Sequence, residues 1–454
     1  MGLLSSHRPL RLAIAGLSFV LPACLNASAT VIPVSTVGQL QSALASARAG
    51  DEIVVAAGTY SLSSDLWMNY PGVVLRGATG NRDDVFLRGP GMNNTASSRI
   101  PVHINAANCT VQDLSVGECY WHGIQIHDPA DYCVIRNVKT INCGEQHIKS
   151  VPSTTGGLIE LCLMDQTYVR TNDGVDRPND YLGGIDLHAA TNWIIRDNLI
   201  RNITGANLDG DAGIFVWNQS VNCLTERNVV IGCNKGIAYG NPYNGGTAYH
   251  MTGGTVRNNF VYAKTSAGAD IGMEMCFVRD VKVYNNTIWT DSGSFFRTFQ
   301  FNDSAATPNT NVQLRYNIIR GNFNDFTGGK YSSVGDIIGN VAQASWFVNP
   351  AGGDYHLTKL ATAAIDQAAA LPEVPEDYDR QARPSRGAPD VGADEFLWGD
   401  ITGDNRCNVF DLQRLAASWN KQLGQPGYDA ACDLNGDNKV NVFDLQVMAG
   451  DWNK

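Results

Sequence analysis

The chain has 454 residues, a formal net charge of −11, and 44% hydrophobic against 17% charged residues. That length accommodates one long domain and a small second module. The acidic balance argues against nucleic acid as a partner but leaves an acidic glycan open, because a local basic patch can override a modest global charge.

Residues 1–29 read as a signal peptide. His7, Arg8 and Arg11 precede an apolar run from Leu12 to Leu21, and Ala27-Ser-Ala29 offers a cleavage site. The run is too short to span a bilayer and stops at Pro22. Leu21-Pro-Ala-Cys24 weakly resembles a lipobox, the alternative being lipid attachment at Cys24. Either route takes the protein out of the cytoplasm, to the medium or the cell surface.

Thr36 to Ala47 predicts a short amphipathic helix. Thr36 and Gln39 make a capping box, and Val37, Leu40, Ala43 and Leu44 share one apolar face. Such a helix would cover the open end of whatever follows, where unpaired strand edges invite aggregation. Glu52 to Tyr60 is then read as the first coil.

From Cys133 to Gly321 one pattern returns: a polar–apolar alternation, an Asn, and an apolar pair. It stands in Trp193-Ile-Ile-Arg-Asp-Asn198-Leu-Ile, Cys223-Leu-Thr-Glu-Arg-Asn228-Val-Val and Thr255-Val-Arg-Asn-Asn259-Phe-Val, and again around Asn286 and Asn317. The intervals between these Asn residues are 30, 31, 27 and 31. A fixed period of this size marks a solenoid, and Val/Ile-rich runs broken by Gly, Asn and Asp are strand chemistry. The recurring Asn suits an inward turn, where amides on successive coils hydrogen-bond along the stack. The expected fold is all-β, a right-handed parallel β-helix over residues 30–343 with an N-terminal cap helix. It would have roughly ten coils at ~4.8 Å each.

Eleven cysteines in an exported chain make disulfides possible. Cys109/Cys119, Cys133/Cys143 and Cys223/Cys233 are each ten apart, which suggests two equivalent positions on successive coils. Stacked buried thiols are the favoured reading there. Cys407 and Cys432 lie in a small module, where a staple would add most.

The second strand of each coil offers a candidate active face. If Ile124, Ile126, Ile148, Ile185 and Leu187 point inward, then Gln125, His127, His147, Lys149, Asp186, His188, Phe215 and Trp217 point outward. Lys149, His127, His147, Asp186 and His188, with Arg170, are the candidate catalytic groups; Gln125, Phe215 and Trp217 are the candidate sugar contacts. The insert from Arg170 to Tyr181, with Asp173, Asp176 and Asp180, reads as a surface loop at the rim. A solvated face with incidental polar residues is the plain alternative, but such faces favour Lys, Glu, Ser and Thr over His and Trp. Asp186 and Glu274 would be the carboxylates of a hydrolase, although three coils separate them.

Residues 344–397 change character. His356-Leu-Thr, Ala364-Ile-Asp366 and Ala388-Pro-Asp-Val-Gly-Ala-Asp-Glu395 resemble the closing segment of secreted bacterial β-helix proteins, implying a last coil and far cap.

The tail, 398–454, holds a duplicated motif. Asp400-Ile-Thr402-Gly-Asp404-Asn-Arg406-Cys-Asn408-Val-Phe-Asp411 returns 33 residues later as Asp433-Leu-Asn435-Gly-Asp437-Asn-Lys439-Val-Asn441-Val-Phe-Asp444. Oxygen side chains at positions 1, 3, 5, 9 and 12 of a loop wrap a hard cation, and each loop runs into an apolar helix, Val409 to Trp419 and Val442 to Trp452. These units resemble the dockerin type I domain. The resemblance implies Ca2+ held by Asp400, Thr402, Asp404, Asn408 and Asp411, then by Asp433, Asn435, Asp437, Asn441 and Asp444. It also implies a cohesin-like scaffold partner. Thr402 stands where Asp or Asn is usual, and Asn405 and Asn438 where Gly is common, though Asn tolerates φ > 0.

Gly184-Ile-Asp-Leu-His188 through Asn198 looks like a widespread group of secreted β-helix repeat proteins. Glu145, Lys149-Ser150 and Arg170 are faintly similar to the chondroitinase-B and alginate lyase class, which implies Lys149 as base and Arg170 as its assistant. A uronate polysaccharide lyase with a dockerin-like module is therefore the expected function. A glycoside hydrolase, or a non-catalytic glycan-binding or surface-assembly protein, is the alternative.

Overall fold

The computed structural model describes residues 29–94, 99–170, 181–205, 210–263, 271–290, 297–328 and 330–453. The expected signal peptide, Cys24, and Asp173, Asp176 and Asp180 lie outside the described residues.

The body is a right-handed parallel β-helix. One coil supplies three short strands, such as Ile185–His188, Ile194–Arg196 and Leu199–Arg201. Each lies parallel to its counterpart on the next coil, with Ile185 opposite Ile214, Ile194 opposite Leu224, and Leu199 opposite Val229. Three residues per strand suffice because every backbone group is answered by the coil above or below, while Ile185, Leu187, Ile195 and Ile200 pack into the shared interior.

Between the second and third strands the chain bends through one left-handed residue. Asp197, Arg227, Asn258, Asn285 and Tyr316 occupy it, with φ of 56°, 51°, 52°, 49° and 55°. The next residue is in each case the recurring Asn. Asn198 Nδ2 donates to Asn228 Oδ1 at 2.9 Å, Asn228 to Asn259 at 3.0 Å, Asn259 to Asn286 at 2.9 Å and Asn286 to Asn317 at 3.0 Å. The expected amide ladder is thus present. It ends on a carboxylate the repeat did not include: Asn317 Nδ2 donates to Asp336 Oδ1 at 2.7 Å, and burial pushes the Asp336 carboxyl above its ordinary range.

The helix α1, Val37–Ser46, buries Leu40, Ala43 and Leu44, and the Thr36 side chain accepts the Gln39 N–H at 3.2 Å. The stack begins earlier than expected, since Val31–Val34 already pairs with Glu52–Val55. All ten described cysteines are free and buried, Cys407 and Cys432 included. Cys119 and Cys143 are direct register partners on adjacent coils.

Residues 344–397 do not form a last coil. Phe347–Asn349 and Asp354–Leu357 pair antiparallel, and the segment lies along the flank as a strap. Its Tyr355 and Leu357 pack with Phe260, Tyr262 and Trp289 of the solenoid. Tyr378 stacks on Phe260 at 4.3 Å, and Arg380 reaches Asp197 at 2.7 Å. Large aromatics on the outside of the third strands are what this strap covers; a capped end would not need them.

The tail folds around Ile401, Cys407, Leu415, Cys432, Val440 and Met448. Its helices are α2, Val409–Ala417, and α3, Val442–Asp451.

Candidate active groove and calcium module

The ten-stranded face is the one that carries chemistry. Along it Trp67, His103, Gln125, Lys149, Asp186, Phe215, Ala238, Glu274, Gln300 and Asn324 are successive register partners. The alternation within the strands Ile124–Ile126, Ile148–Ser150 and Ile185–His188 therefore turns Gln125, Lys149, Asp186 and His188 outward, as expected.

At the centre, Lys149 Nζ is ion-paired with Asp186 Oδ2. It also lies 2.9 Å from the Tyr181 hydroxyl and 2.8 Å from His188 Nε2. Trp217 Nε1–H donates to Asp186 Oδ1 at 3.0 Å. Burial alone would push the Lys149 ammonium down, but the Asp186 carboxylate prevails and holds it above its ordinary value. Burial likewise opposes ionisation of Asp186, and Lys149 and His188 reverse it, leaving the carboxyl below its usual range. The centre is a fixed charge pair.

Asp211 was not anticipated. It sits before the strand Ala212–Trp217 and shares a cavity of about 210 Å³ with Tyr181, Asp186, Trp217, Lys235 and Glu274. Burial, and then the negative charge of Asp186, push its carboxyl up to about 6. Gln300 Nε2 donates to Glu274 at 2.8 Å, so the face continues as a polar surface.

At the other end Trp67 stacks flat on His103 at 3.8 Å. His103 Nδ1 lies 2.8 Å from His127 Nε2, and its Nε2 lies 3.2 Å from Asp65. Burial and the neighbouring His103 depress His127.

Three expected placements change. His147 is fully buried, with Thr140 Oγ1 and Gln166 Oε1 each 2.9 Å from its ring nitrogens; it belongs to the interior, because it precedes the strand in which alternation holds. Arg170 lies over the Tyr120 ring at 4.5 Å and donates to the Gly144 carbonyl, whereas Tyr181 is the group that touches Lys149. Phe215 is 7% exposed and stacked beside Trp217, which leaves Trp217 as the more open ring.

In the tail, Asp400, Asp404 and Asp411 bring ligand atoms within 4.8 Å of one another. Asp400 accepts backbone N–H groups from Gly403, Asp404 and Asn405 at 2.7, 3.2 and 2.7 Å. Asp433 repeats this with Gly436, Asp437 and Asn438 at 2.9, 3.1 and 2.8 Å. Asn405 and Asn438 take the expected positive φ, 60° and 66°. Asn408 and Asn441 instead cap α2 and α3, their side chains accepting the Phe410 and Phe443 N–H at 2.9 Å. Thr402 Oγ1 bonds Asp411 at 2.9 Å. Residues 398–450 match the family model of the dockerin type I domain. The tail is a dockerin type I domain. Dockerin type I domains bind calcium, and dockerin domains bind cohesin scaffold proteins. The converging carboxylates of this dockerin fit a hard, oxygen-seeking cation.

No curated relative matches the chain in sequence. In structure the chain is similar to an alginate lyase from Paenibacillus sp. strain FPU-7, at 16% identity and a TM-score of 0.48, covering 68% of this chain and 99% of that one. It is also similar to the pectate lyase Pel9A, at 14% identity and a TM-score of 0.47, covering 78% and 90%. A polygalacturonase from Erwinia carotovora matches at 13% identity and a TM-score of 0.43, covering 68% and 93%. At these identities the likeness is one of fold.

Proposed function

We propose that this is a secreted enzyme that cleaves a uronic-acid polysaccharide by β-elimination and is carried on a cohesin-like scaffold through its calcium-loaded dockerin. The observation that carries the reading is the Lys149 ammonium, held charged in the groove beside the Tyr181 phenol. β-Elimination removes the proton α to the uronate carboxylate, expels the glycosidic oxygen at the β carbon, and leaves a C=C bond in the new end sugar. Negative charge builds on the carboxylate side as the proton leaves, and a fixed cation there lowers the barrier. Lys149 supplies that cation. The base role the resemblance implied for Lys149 needs a neutral amine, which Asp186 opposes; Tyr181 and His188, both within 2.9 Å of Nζ, are the groups to carry protons. Trp217 would platform a sugar ring. Bound calcium would neutralise the carboxylates of each dockerin loop. Exposed Val409, Phe410, Val442 and Phe443, at the starts of α2 and α3, give the module two matching apolar patches for a protein partner.

Incubation with a panel of uronic-acid polysaccharides tests this by ultraviolet absorbance. A rise from the unsaturated product is expected, and its loss in Lys149→Ala with glycan affinity retained. New reducing ends without absorbance would favour hydrolysis instead, for which Asp211, at about 6, beside ionised Asp186 gives a specific acid–base pair. No cleavage of any glycan, with binding altered in Lys149→Ala, would make the groove a binding surface.

A further inference from the structure

His356 of the flanking strap stands among three carboxylates. Its Nδ1 is 2.6 Å from Asp354 Oδ1, and its Nε2 is 2.8 Å from Asp379 Oδ2. Asp394 closes the cluster, and ligand atoms of His356, Asp379 and Asp394 all lie within 4.8 Å of one another. Asp394 is 2% exposed. One of its oxygens accepts the Leu357 N–H at 2.6 Å, and the other, Oδ1, has no hydrogen-bond partner. A buried carboxylate oxygen left unanswered is costly, and here it belongs to a cluster with an imidazole already oriented. Asp354 fixes the ring through Nδ1 and turns Nε2 towards Asp379, the arrangement in which a second carboxylate orients a metal-binding histidine. The nearby cation, Arg383, is itself engaged by Glu395 at 2.9 Å.

We infer that His356, Asp379 and Asp394 form a site for a divalent transition-metal ion of the zinc class, separate from the two calcium loops. One imidazole nitrogen with two carboxylates is a mixed donor set that suits zinc or its neighbours, whereas calcium takes oxygen throughout. The ion would replace the proton shared between Nε2 and Asp379 and would give Asp394 Oδ1 its missing partner. The site also touches the dockerin: Asn405, in the first calcium loop, donates Nδ2–H to Asp379 Oδ2 at 2.7 Å.

The test uses the full chain in excess Ca2+, which saturates the dockerin loops, titrated with Co2+ and followed by visible absorption and by metal content after dialysis. One Co2+ per chain is expected, displaced by Zn2+. His356→Gln should weaken it at least roughly 10–100-fold, the range that even loss of an outer-shell partner produces, and Asp437→Ala, in the second calcium loop, should leave it unchanged. Should His356→Gln fail to fold by circular dichroism, Asp379→Asn, at an exposed position, takes its place with the same expectation. The absence of Co2+ binding, equal binding by the variant, or loss in Asp437→Ala would each overturn the site.

Discussion

Asp186 and Asp211 face one cavity with opposite electrostatic histories, and each makes a prediction. Asp186 is ionised against Lys149, so Asp186→Asn strands a buried ammonium. Removing one partner of a buried pair costs about 3–5 kcal/mol, to be read as a lower urea midpoint near neutral pH. That contribution is present above the unfolded carboxyl value and fades as pH falls through the lower folded one. Asp211 behaves in the reverse sense. Its folded value, about 6, lies above the ordinary 3.8, so the native state holds the extra proton and stability declines as pH rises from about 4 to 6. Gln146 Nε2 donates to Asp211 Oδ2 at 3.3 Å, and Asp211→Asn keeps an amide oxygen as that acceptor while removing the penalty. The variant should exceed the parent by about 2–3 kcal/mol at pH 7, with the two curves meeting near pH 3.5. A constant offset at all pH values would show that the effect is packing.

The ladder belongs to the scale of the coil. Asn259 Oδ1 accepts from both the N–H and Nδ2 of Asn228, while its own Nδ2 serves Asn286 and the Thr225 carbonyl. Asn259→Ala therefore orphans groups on two neighbouring coils, and a loss of roughly 2–3 kcal/mol is expected from urea unfolding. Asn222 makes a similar bond to Asn192, at 3.0 Å, but in solvent. Asn222→Gly, which keeps the left-handed backbone, should change stability by less than about 0.5 kcal/mol. The ladder was legible because its Asn recurs at nearly constant intervals within alternating strands. Asp336 was not, because its coil is short: it follows Asn317 by 19 residues, well below the period of the repeat. The groove is legible where short strands impose alternation, which places Lys149, Asp186 and His188. His147 failed one residue outside such a strand. Trp67 and His103 were missed because the first coils lack the Asn that anchored the alignment, and Asp211 because the chemistry sits in a bend before its strand.

For the whole molecule, the strap and the dockerin are joined differently from the coils. Gln381 Nε2 and Asp379 hold the two sides of Asn405 at 3.1 and 2.7 Å, but the dockerin keeps a separate apolar core. Withdrawal of calcium alone should therefore melt the tail alone: without a cation, Asp400, Asp404 and Asp411 repel one another across a few ångströms. Calorimetry at constant Zn2+ should resolve two transitions, with dialysis against calcium-free buffer lowering only the smaller. A single transition moved by the loss of calcium would mean that the tail stabilises the solenoid. The segment 344–397 resembles, in sequence, the closing segment of secreted β-helix proteins; its place on the flank depends on aromatics of distant coils, Phe260 above all, which no local pattern connects to it. The ladder has a last consequence at this scale. Its rungs stay 2.9–3.0 Å apart from Asn198 to Asn317 although the chain between them varies from 27 to 31 residues. The surplus is expelled into the bends outside the strands, so length is free to vary at the groove's rim while the frame keeps its register. Lengthening those bends is thus a way to remake what the groove accepts without renegotiating the fold.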